Sequence, residues 1–220
     1  MINKPIEQFI DHTLLKADST ETHIKILCEE AIKHNFYAVC INSCYLPLAK
    51  KLLLDSHVKL ATVVGFPLGA VSTKAKLEEA KYAMEAGADE VDMVINLGWF
   101  KSAKYSEVQN EIMALKNCLD NKVLKVIIET CYLSPDEIKY ASKLVLKGKA
   151  DFVKTSTGFG SRGASFNDIT LIKEAVGDDI KIKASGGIKD RSTAEEFIQM
   201  GVSRLGTSSG ITILNKNNTL

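Results

Sequence analysis

The chain has 220 residues, and 45% of them are hydrophobic, which is enough to bury a sizeable core. Its 28 lysines and arginines nearly balance its 27 aspartates and glutamates, so the net charge is +1. No overall field draws such a chain to nucleic acid or to an acidic membrane, and we therefore expect a small-molecule partner, no nucleic acid and no membrane.

The sequence also lacks the patterns of a membrane span or an export signal. Its longest weakly polar stretch, Leu60 to Thr73, is broken by Pro67 and is shorter than the roughly 20 apolar residues that a span needs. The N-terminal segment has acidic and polar residues where a secretion signal needs a continuous apolar region. These features predict a cytoplasmic protein.

The five cysteines follow no pattern of a disulfide framework or a metal site. They stand at positions 28, 40, 44, 118 and 131 without a CxxC pair, and the chain has only four histidines. We expect buried, reduced thiols, no metal and no cofactor.

Short apolar or β-branched runs alternate with segments of helical spacing along the whole chain. After the first run, apolar residues recur at i, i+3, i+4 and i+7, as in a helix that packs one face on a sheet: Ile24, Leu27, Cys28 and Ala31. The eight predicted strands are residues 7–12, 36–41, 58–64, 90–95, 123–129, 151–155, 180–184 and 203–206.

Capping residues and glycines predict where the intervening helices begin and end. Three pairs place a glutamate three residues after an N-cap side chain: Asp18 and Glu21, Ser134 and Glu137, and Ser192 and Glu195. Pro135 follows Ser134 at the first helical position. The glycines that end helical segments shortly before a strand are Gly87, Gly148 and Gly201.

Alternating strands and helices with short connections indicate parallel strands, which form either an open doubly wound sheet or a closed barrel. Eight repeats fit a compact (β/α)8 TIM barrel, whereas a doubly wound sheet usually has about five or six strands. The segment DHTLLKADS after the first strand lacks a dinucleotide-binding glycine fingerprint. We predict an α/β fold with one (β/α)8 barrel domain over residues 1–220 and its chemistry at the carboxyl ends of the strands.

Two lysines at neighbouring strand ends are the first candidate catalytic groups. Lys154 interrupts the apolar strand DFVKTS, and Lys183 precedes the turn after the next strand. Two ammonium groups held close disfavour protonation of one of them, and a lysine whose pKa falls to about 7–8 can form an imine. The alternative for Lys154 is a lysine whose stem packs in the barrel mouth while its head reaches solvent.

Carboxylates from other strands can complete this site. Asp92 is flanked by valine and methionine and is expected to point inward, where it can pass protons or simply neutralise a structural lysine. Asp11 and Glu129 lie near the ends of the first and fifth strands, and we expect them to be supporting groups.

The loops after strands six, seven and eight predict a phosphate site. TSTG, SGG and GTSSG offer backbone N–H groups and small hydroxyls, and all three segments lack acidic residues. Phosphates in barrels of this class usually bind after strands seven and eight.

Seven segments, in this order, resemble the deoxyribose-phosphate aldolase family: DHTLLKAD, VVGFPLG, EVDMVIN, KVIIET, DFVKTSTGFG, KASGGI and GTSSG. They extend over nearly the whole chain, and KTSTGF is the most diagnostic. The resemblance implies a metal-free class I aldolase on a (β/α)8 barrel. Its reaction would be the reversible cleavage of 2-deoxy-D-ribose 5-phosphate to acetaldehyde and D-glyceraldehyde 3-phosphate, in deoxyribose phosphate catabolism.

The motifs also imply roles for individual residues. Lys154 would form the Schiff base, and Asp92 would donate and accept protons together with Lys183. Cys40 in YAVCIN matches a cysteine near this family's pocket, with direct catalysis the less favoured role. A homo-oligomer, dimer or larger, is common in the family and expected here. The residues that would bind the phosphate are Gly158, Gly186, Gly187, Ser208 and Ser209.

The sequence departs from the family pattern in two places. Arg162 stands where the family tends to have glycine, and it could contact the phosphate or point to solvent. The chain ends in TILNKNNTL, without the terminal tyrosine of some members, so the role of that tail in closing the site is not carried over.

Other functions stay open from the residues. Another phosphate-binding barrel, either an aldolase of different specificity or an isomerase, would share the loops without needing Lys154. A non-catalytic sugar-phosphate-binding protein is disfavoured, because it has no need for two buried ammonium groups. A metal-dependent aldolase is not expected, since His12 is the only histidine near a predicted strand end.

Overall fold

A computed structural model describes residues 4–215 and shows a closed barrel of parallel strands. Each strand pairs with the next one in sequence, and the eighth pairs with the first. The prediction of an α/β (β/α)8 TIM barrel is confirmed; that residues 1–220 form one domain stays a prediction. The strands are β1 Ile10–Leu14, β2 Ala38–Ile41, β3 Lys59–Val64, β4 Glu90–Val94, β5 Val123–Ile127, β6 Phe152–Lys154, β7 Lys181–Ser185 and β8 Arg204–Thr207.

Helices pack around the outside of this barrel. Short 3₁₀ helices span Ile6–Phe9, Ser43–Tyr45 and Thr130–Tyr132. No helix in residues 4–215 is long and apolar enough to cross a membrane. The α-helices are α1 Glu21–Lys33, α2 Leu46–Leu52, α3 Thr73–Glu85, α4 Leu97–Lys101, α5 Tyr105–Leu119, α6 Pro135–Lys147, α7 Phe166–Val176, α8 Arg191–Gln199 and α9 Gly210–Leu214.

The first strand is the one that the sequence placed least well. Residues 7–12 were predicted as strand, but a 3₁₀ helix follows Pro5 and β1 begins only at Ile10. Ile6 and Phe9 are both buried. A spacing of three residues places them on one face of a helix, whereas it would place them on opposite faces of a strand. The other seven strands lie within two residues of their predicted ends.

Of the three predicted helix starts, one is correct. Ser134 accepts a hydrogen bond from the Glu137 N–H, and the Glu137 side chain accepts one from the Ser134 N–H. This pair is the predicted capping box, with Pro135 at the first helical position.

The other two starts are wrong by two residues. Helix α1 is capped by Thr20, whose hydroxyl accepts a hydrogen bond from the His23 N–H. The predicted capping box of Asp18 and Glu21 is therefore not formed. Helix α8 is capped by Asp190, which accepts from the Thr193 N–H at 2.8 Å. Neither Ser192 nor Glu195 caps α8, because the aspartate two residues earlier competes for the same backbone N–H groups.

The predicted glycine stops are confirmed, although for two different reasons. Gly87 and Gly201 follow α3 and α8 with φ of +91°, a conformation that side-chain-bearing residues rarely adopt. Gly148 caps α6 with φ of −72°, so its conformation does not require glycine. There a Cβ atom would lie 2.5 Å from the Ile112 side chain. Packing, not dihedral angle, selects glycine at this helix end.

The main apolar core lies between the outer face of the barrel and the helices, and it contains the predicted α1 residues Ile24, Leu27, Cys28 and Ala31. A separate, small apolar cluster lies elsewhere: Leu15, Cys40, Ala61 and Val63, with Phe66 packed against it. TIM-barrel interiors are usually filled by branched aliphatic side chains. Here charged side chains occupy much of the interior, described below.

The five cysteines have free thiols, but only two of them are buried. Cys28 lies in the main core, and Cys40 lies in the small cluster. The prediction of buried thiols is wrong for Cys44, which is exposed, and for Cys118 and Cys131, which are partly exposed. Cys44 is in a surface 3₁₀ helix, a local element that the spacing of cysteines could not reveal.

Candidate active site

The carboxyl ends of β6, β7 and β8 meet at a pocket of about 390 Å³. Three short loops from these strands form much of its wall, and residues after β1 form another side. The predicted residues at this pocket are Lys154, Gly158, Gly186, Gly187, Ser208 and Ser209. The chain therefore brings the candidate phosphate-binding residues to one place, beside the first candidate lysine.

Glycine is required in these loops because their backbones bend and approach closely. Gly158, Gly186 and Gly187 have φ of +87°, +81° and +79°. A Cβ atom on Gly186 would lie 2.9 Å from the Gly163 Cα. Thr207, at the end of β8, ties the loop after β8 to the loop after β7. Its hydroxyl donates to the Ile188 carbonyl at 2.7 Å and accepts from the Ser209 N–H. These loops are thus held against one another by contacts within the protein.

Lys154, Lys183 and Asp92 meet inside the barrel just below this pocket. Lys154 and Lys183 are neighbours across β6 and β7, and each Nζ donates to Oδ2 of Asp92 at 2.8 Å. All three side chains are almost completely buried, but only Lys154 lines the pocket. The structure thus brings together the three residues that the sequence proposed as a catalytic group.

Their surroundings separate the two lysines electrostatically. Burial, which Asp92 opposes and Lys183 reinforces, lowers the pKa of Lys154. Burial also disfavours the charge of Lys183, but the carboxylates of Asp11 and Asp92 outweigh it and raise the pKa of Lys183. Lys183 is therefore the permanent cation, and Lys154 is the lysine that can be neutral.

Asp11, predicted as a supporting group, holds Lys183 from the side opposite Asp92. Its Oδ2 accepts from Lys183, and its Oδ1 accepts from Arg204. Burial opposes ionisation of Asp11, but Arg204 and Lys183 more than compensate and lower its pKa. Asp11 does not line the pocket, so its place is that of a residue acting through Lys183.

Sequence reasoning missed three charged residues deeper in the barrel. Lys125 donates to Oδ1 of Asp92 at 2.6 Å and lies 2.7 Å from Oε2 of Glu90. Arg204 donates to Glu90 at 2.6 Å and also to Asp11. Lys125 thus holds the Asp92 carboxylate from below, leaving its other oxygen to Lys154 and Lys183.

A signal for two of the missed residues was present. Lys125 interrupts VLKVI in the same way that Lys154 interrupts its strand, and Glu90 stands two residues before Asp92 on the same face of β4. Arg204 gave no such signal, because it opens β8, where a charged residue normally reaches solvent. It is buried here because its guanidinium turns into the barrel.

These residues form one charge network inside the barrel. Its cationic members are Lys125, Lys154, Lys183 and Arg204, and its carboxylates are Asp11, Glu90 and Asp92. With Lys154 protonated, four cations face three carboxylates. With Lys154 neutral, the charges balance, which favours the neutral amine in a site of low dielectric constant.

Glu129, the other predicted supporting group, positions the loop after β6. Its carboxylate accepts from the Thr157 N–H at 3.2 Å and from the Thr157 hydroxyl. Burial raises the pKa of Glu129, and its backbone has φ of +50°, which is a strained conformation for glutamate. Glu129 therefore acts on the segment that leads from Lys154 to Gly158, rather than on the lysines.

Comparison with known proteins gives the same assignment as the geometry. The family model described as "DeoC/LacD family aldolase" matches residues 6–214. This chain belongs to the DeoC/LacD aldolase family. A relative from Finegoldia magna, named deoxyribose-phosphate aldolase, is 53% identical over 95% of this chain and 98% of its own length.

Two solved structures share this fold at substantial sequence identity. One, named "QR15, an Aldolase", superposes with a TM-score of 0.92 at 42% identity, covering 97% of this chain and 95% of that one. The other, a deoxyribose phosphate aldolase from Aeropyrum pernix described as a unique tetramer, has a TM-score of 0.85 at 32% identity. The match covers 94% of this chain and 88% of the Aeropyrum pernix chain.

Arg162, where the chain departs from the family pattern, lies in the loop after β6. It forms a two-pronged ion pair with Asp168, at 2.6 and 3.0 Å, and also donates to the Thr130 carbonyl. It does not line the pocket, and its side chain is 44% exposed, so it faces solvent in part while it is paired with Asp168. Arg162 instead ties the loop after β6 to the start of α7. The C-terminal residues 216–220 lie outside the described part of the chain.

Cys40 and His12 lie near the site without joining its reacting groups. Cys40 is buried in the small apolar cluster, and burial raises the pKa of its thiol, which favours the unreactive protonated form. His12 Nε2 lies 2.8 Å from Oε2 of Glu30. In residues 4–215, no group of three or more histidine, cysteine, aspartate or glutamate side chains could hold a metal ion.

Proposed function

We propose that this chain is a class I aldolase that reversibly cleaves 2-deoxy-D-ribose 5-phosphate to acetaldehyde and D-glyceraldehyde 3-phosphate. The observation that carries the proposal is the position of Lys154. It is the one lysine of the charge network that lines the pocket, and its pKa is lowered. Relatives named deoxyribose-phosphate aldolase, about half identical over nearly the whole chain, support the substrate.

The reaction begins at the aldehyde carbon of the open-chain sugar. Neutral Lys154 Nζ attacks C1, the hydroxyl of the resulting carbinolamine takes up a proton from solvent and leaves as water, and a cationic iminium remains on the lysine. Its positive charge replaces that of a protonated Lys154 beside Oδ2 of Asp92. The network therefore carries one excess positive charge while the iminium exists, and its charges balance again when the electron pair of the C2–C3 bond converts the iminium to a neutral enamine.

The carbon–carbon bond breaks in the second stage. Asp92, working with Lys183 and a water molecule, removes the proton of the C3 hydroxyl. The electron pair of the C2–C3 bond moves into the iminium, which gives an enamine on Lys154 and releases glyceraldehyde 3-phosphate. Protonation of the enamine at C2 and hydrolysis of the imine release acetaldehyde and return neutral Lys154.

The phosphate group is proposed to bind the loops that follow β6, β7 and β8. Gly158, Gly186, Gly187, Ser208 and Ser209 all line the pocket that Lys154 lines, which supports their backbone N–H groups and hydroxyls as the donors to the phosphate. A pocket of about 390 Å³ is in the usual range for a small ligand of this size. Binding the phosphate there fixes the sugar with its other end toward Lys154.

We also propose that the protein is a homo-oligomer and acts in the cytoplasm. The tetramer described for the Aeropyrum pernix relative supports the first statement. Sedimentation velocity on the purified protein tests it, because a single species with the mass of one 24.1 kDa chain would contradict it.

The function is tested by release of acetaldehyde from 2-deoxyribose 5-phosphate, measured for the wild-type protein and for Lys154→Ala. Wild-type turnover and loss of turnover in the variant support the proposal. Borohydride with acetaldehyde is expected to add a two-carbon group to the peptide that contains Lys154. A Lys181→Ala protein is the matched control, because Lys181 is in the neighbouring strand but at its exposed end.

The same assays separate the other functions. Full activity in Lys154→Ala would contradict a Schiff base on this residue. Turnover of another sugar phosphate, but not of deoxyribose phosphate, would indicate an aldolase of different specificity or an isomerase. Binding of deoxyribose phosphate in a calorimeter without any turnover would indicate a sugar-phosphate-binding protein.

A further inference from the structure

The opposite, N-terminal mouth of the barrel contains a second and larger cavity. Its volume is about 780 Å³, and none of its lining residues belongs to the pocket around Lys154. Both the basic and the aromatic side chains there come from the amino ends of the strands or from segments just before them. They are Lys4, Phe9, Tyr37, Phe152, Lys181 and Arg204.

The basic side chains at this mouth have few carboxylate partners. Lys4 and Lys181 form no ion pair within residues 4–215, and each lies over an aromatic ring instead. The distance from Nζ to the ring centroid is 4.1 Å for Lys4 and Phe9, and 5.6 Å for Lys181 and Phe152.

The acidic residues at and near this mouth already have other basic partners. Glu90, which lines the cavity, is paired with Lys125 and Arg204. Asp151, which precedes β6, binds Lys116 at 2.6 Å, and Asp89, which precedes β4, lies 3.4 Å from Lys122. Burial and the charge of Arg204 lower the pKa of Lys4, as expected where positive charge is in excess. The mouth can therefore accept an anion without displacing a native ion pair of Lys4 or Lys181.

Arg204 connects this cavity to the interior. Its guanidinium stacks on Tyr37, with the central carbon 3.4 Å from the ring centroid, and its nitrogens bind Glu90 and Asp11. Together with Lys4 and Lys181, the interior network has six basic side chains and three carboxylates, although the whole chain has a net charge of only +1. Two of these six, Lys4 and Lys181, have no carboxylate partner within residues 4–215, and both lie at the end of the barrel that the proposed reaction does not use.

We propose that the cavity at the N-terminal mouth binds a phosphate dianion, free or as a phosphate monoester, between Lys4 and Lys181, and that its charge influences the active site through Arg204, Asp11 and Lys183. Two ammonium groups and an adjacent guanidinium suit a doubly charged tetrahedral anion. The binding part stands apart from the proposed aldolase function, whereas the coupling part rests on it.

The coupling follows from the two oxygens of Asp11. Arg204 occupies one oxygen from the N-terminal side, and Lys183 occupies the other from the active-site side. An anion beside Arg204 offsets part of the guanidinium charge, so more of the negative charge of Asp11 acts on Lys183 and Lys154. The pKa of Lys154 then rises, and less of it is neutral at a given pH.

Calorimetry with inorganic phosphate tests the binding. A Ser209→Asp protein places a negative charge at the active-site pocket and disfavours phosphate there, which leaves the N-terminal mouth to be measured alone. We expect this protein to bind phosphate and its Lys4→Gln/Lys181→Gln derivative to bind at least about tenfold more weakly, as expected when charge-assisted contacts are lost. Equal affinity in both proteins, or no binding in the first, would overturn the site.

Glycerol phosphate, which has no aldehyde and cannot form an imine, is the second probe in the same titration. Tighter binding than that of inorganic phosphate would identify the ligand as an organic phosphate that also packs on the aromatic walls. Equal or weaker binding would identify it as free phosphate. Either result supports the site only if the Lys4→Gln/Lys181→Gln derivative no longer shows this binding.

Kinetics test the coupling separately. At deoxyribose phosphate concentrations that saturate the active-site pocket and leave the N-terminal mouth open, added phosphate should lower wild-type kcat about two- to fivefold on the acid side of the profile, an effect sized for charges acting through a protein interior. Sodium chloride at equal ionic strength is the control. In Lys4→Gln/Lys181→Gln, kcat should not change when phosphate is added. Purely competitive inhibition would overturn the coupling, and an inactive wild-type protein would instead contradict the proposed function.

Discussion

Two groups of buried charges in this protein look alike in isolation and differ in their surroundings. One is the network inside the barrel, and the other is a single pair between α3 and α5, Lys76 and Glu111. Lys76 Nζ donates to Glu111 at 2.8 Å and to the Val94 carbonyl at 2.8 Å, and both charged side chains have no exposed surface. This pair has one cation for one carboxylate and is closed to ligands.

The contrast shows that a lowered lysine pKa does not by itself mark a reactive amine. Burial lowers the pKa of Lys76, as it does that of Lys154. Lys76, however, has a carboxylate partner of its own and no access to a pocket. Lys154 shares Asp92 with Lys125 and Lys183, in a network with one cation in excess, and it lines the pocket. Lys154 therefore differs from Lys76 in two ways: it lines a pocket, and its network has more cations than carboxylates.

The same substitution at the two lysines should give opposite results. Lys154→Met removes the nucleophile and should lower kcat by about 10³-fold to 10⁶-fold, the range found when a covalent catalyst is deleted. Its free energy of unfolding should be unchanged or higher, because the excess buried cation is gone. Activity assays and urea unfolding of the purified variant check both parts. Marked destabilisation would show that Lys154 is a structural cation like Lys76.

Asp92→Asn tests whether the shared carboxylate sets the charge state of Lys154. We expect kcat to fall by about 10²-fold to 10⁴-fold, because the general acid–base group is lost. Asp92 raises the pKa of Lys154, so its removal should lower that pKa and move the acid limb of the residual kcat/KM profile to lower pH. A shift of the acid limb to higher pH would contradict this assignment of the limb to Lys154.

Lys76→Met should have a large effect on stability and little on catalysis. It leaves Glu111 buried without its cation, which should lower the free energy of unfolding by about 3–5 kcal/mol. Activity per folded molecule should stay at the wild-type level. In Lys76→Met/Glu111→Leu the uncompensated charge is absent, and the stability should return to within about 1 kcal/mol of the wild type. A double variant as unstable as the single one would show that packing, rather than charge, dominates at this site.

Another buried carboxylate, Glu129, sharpens the comparison because it has no ion pair within residues 4–215. Its partners are the N–H and hydroxyl of Thr157, so its effect should be on loop position. Glu129→Gln should raise KM for deoxyribose phosphate by about three- to tenfold, the loss expected for one weakened charge-assisted hydrogen bond. The pH profile of kcat should stay in place, and a displaced profile would instead assign Glu129 to the proton transfers.

Much of the fold could be predicted because its signals are local and repeated. Alternating apolar runs and glycine stops gave the strand count, and the parallel order followed from the helices between the strands. The errors occurred where two local patterns compete within a few residues. Pro5 and the i, i+3 spacing of Ile6 and Phe9 produced a 3₁₀ turn instead of the start of β1, and Asp190 took the cap expected of Ser192.

The candidate site was predictable to a lesser depth. Lys154, Lys183 and Asp92 stood out as charges in apolar strands, and the glycine loops could be found by composition. The sequence by itself therefore determined that Lys154, Lys183 and Asp92 meet at one end of the barrel and that the chemistry lies there, because strand periodicity and order fix both. Only the closed barrel decided their pairing. Asp11 and Arg204 are 193 residues apart in the chain and meet only when β8 closes on β1. That pairing across the interior holds Lys183 charged and leaves Lys154 as the lysine that can be neutral, because electrostatic energies depend on distances that no local sequence pattern specifies.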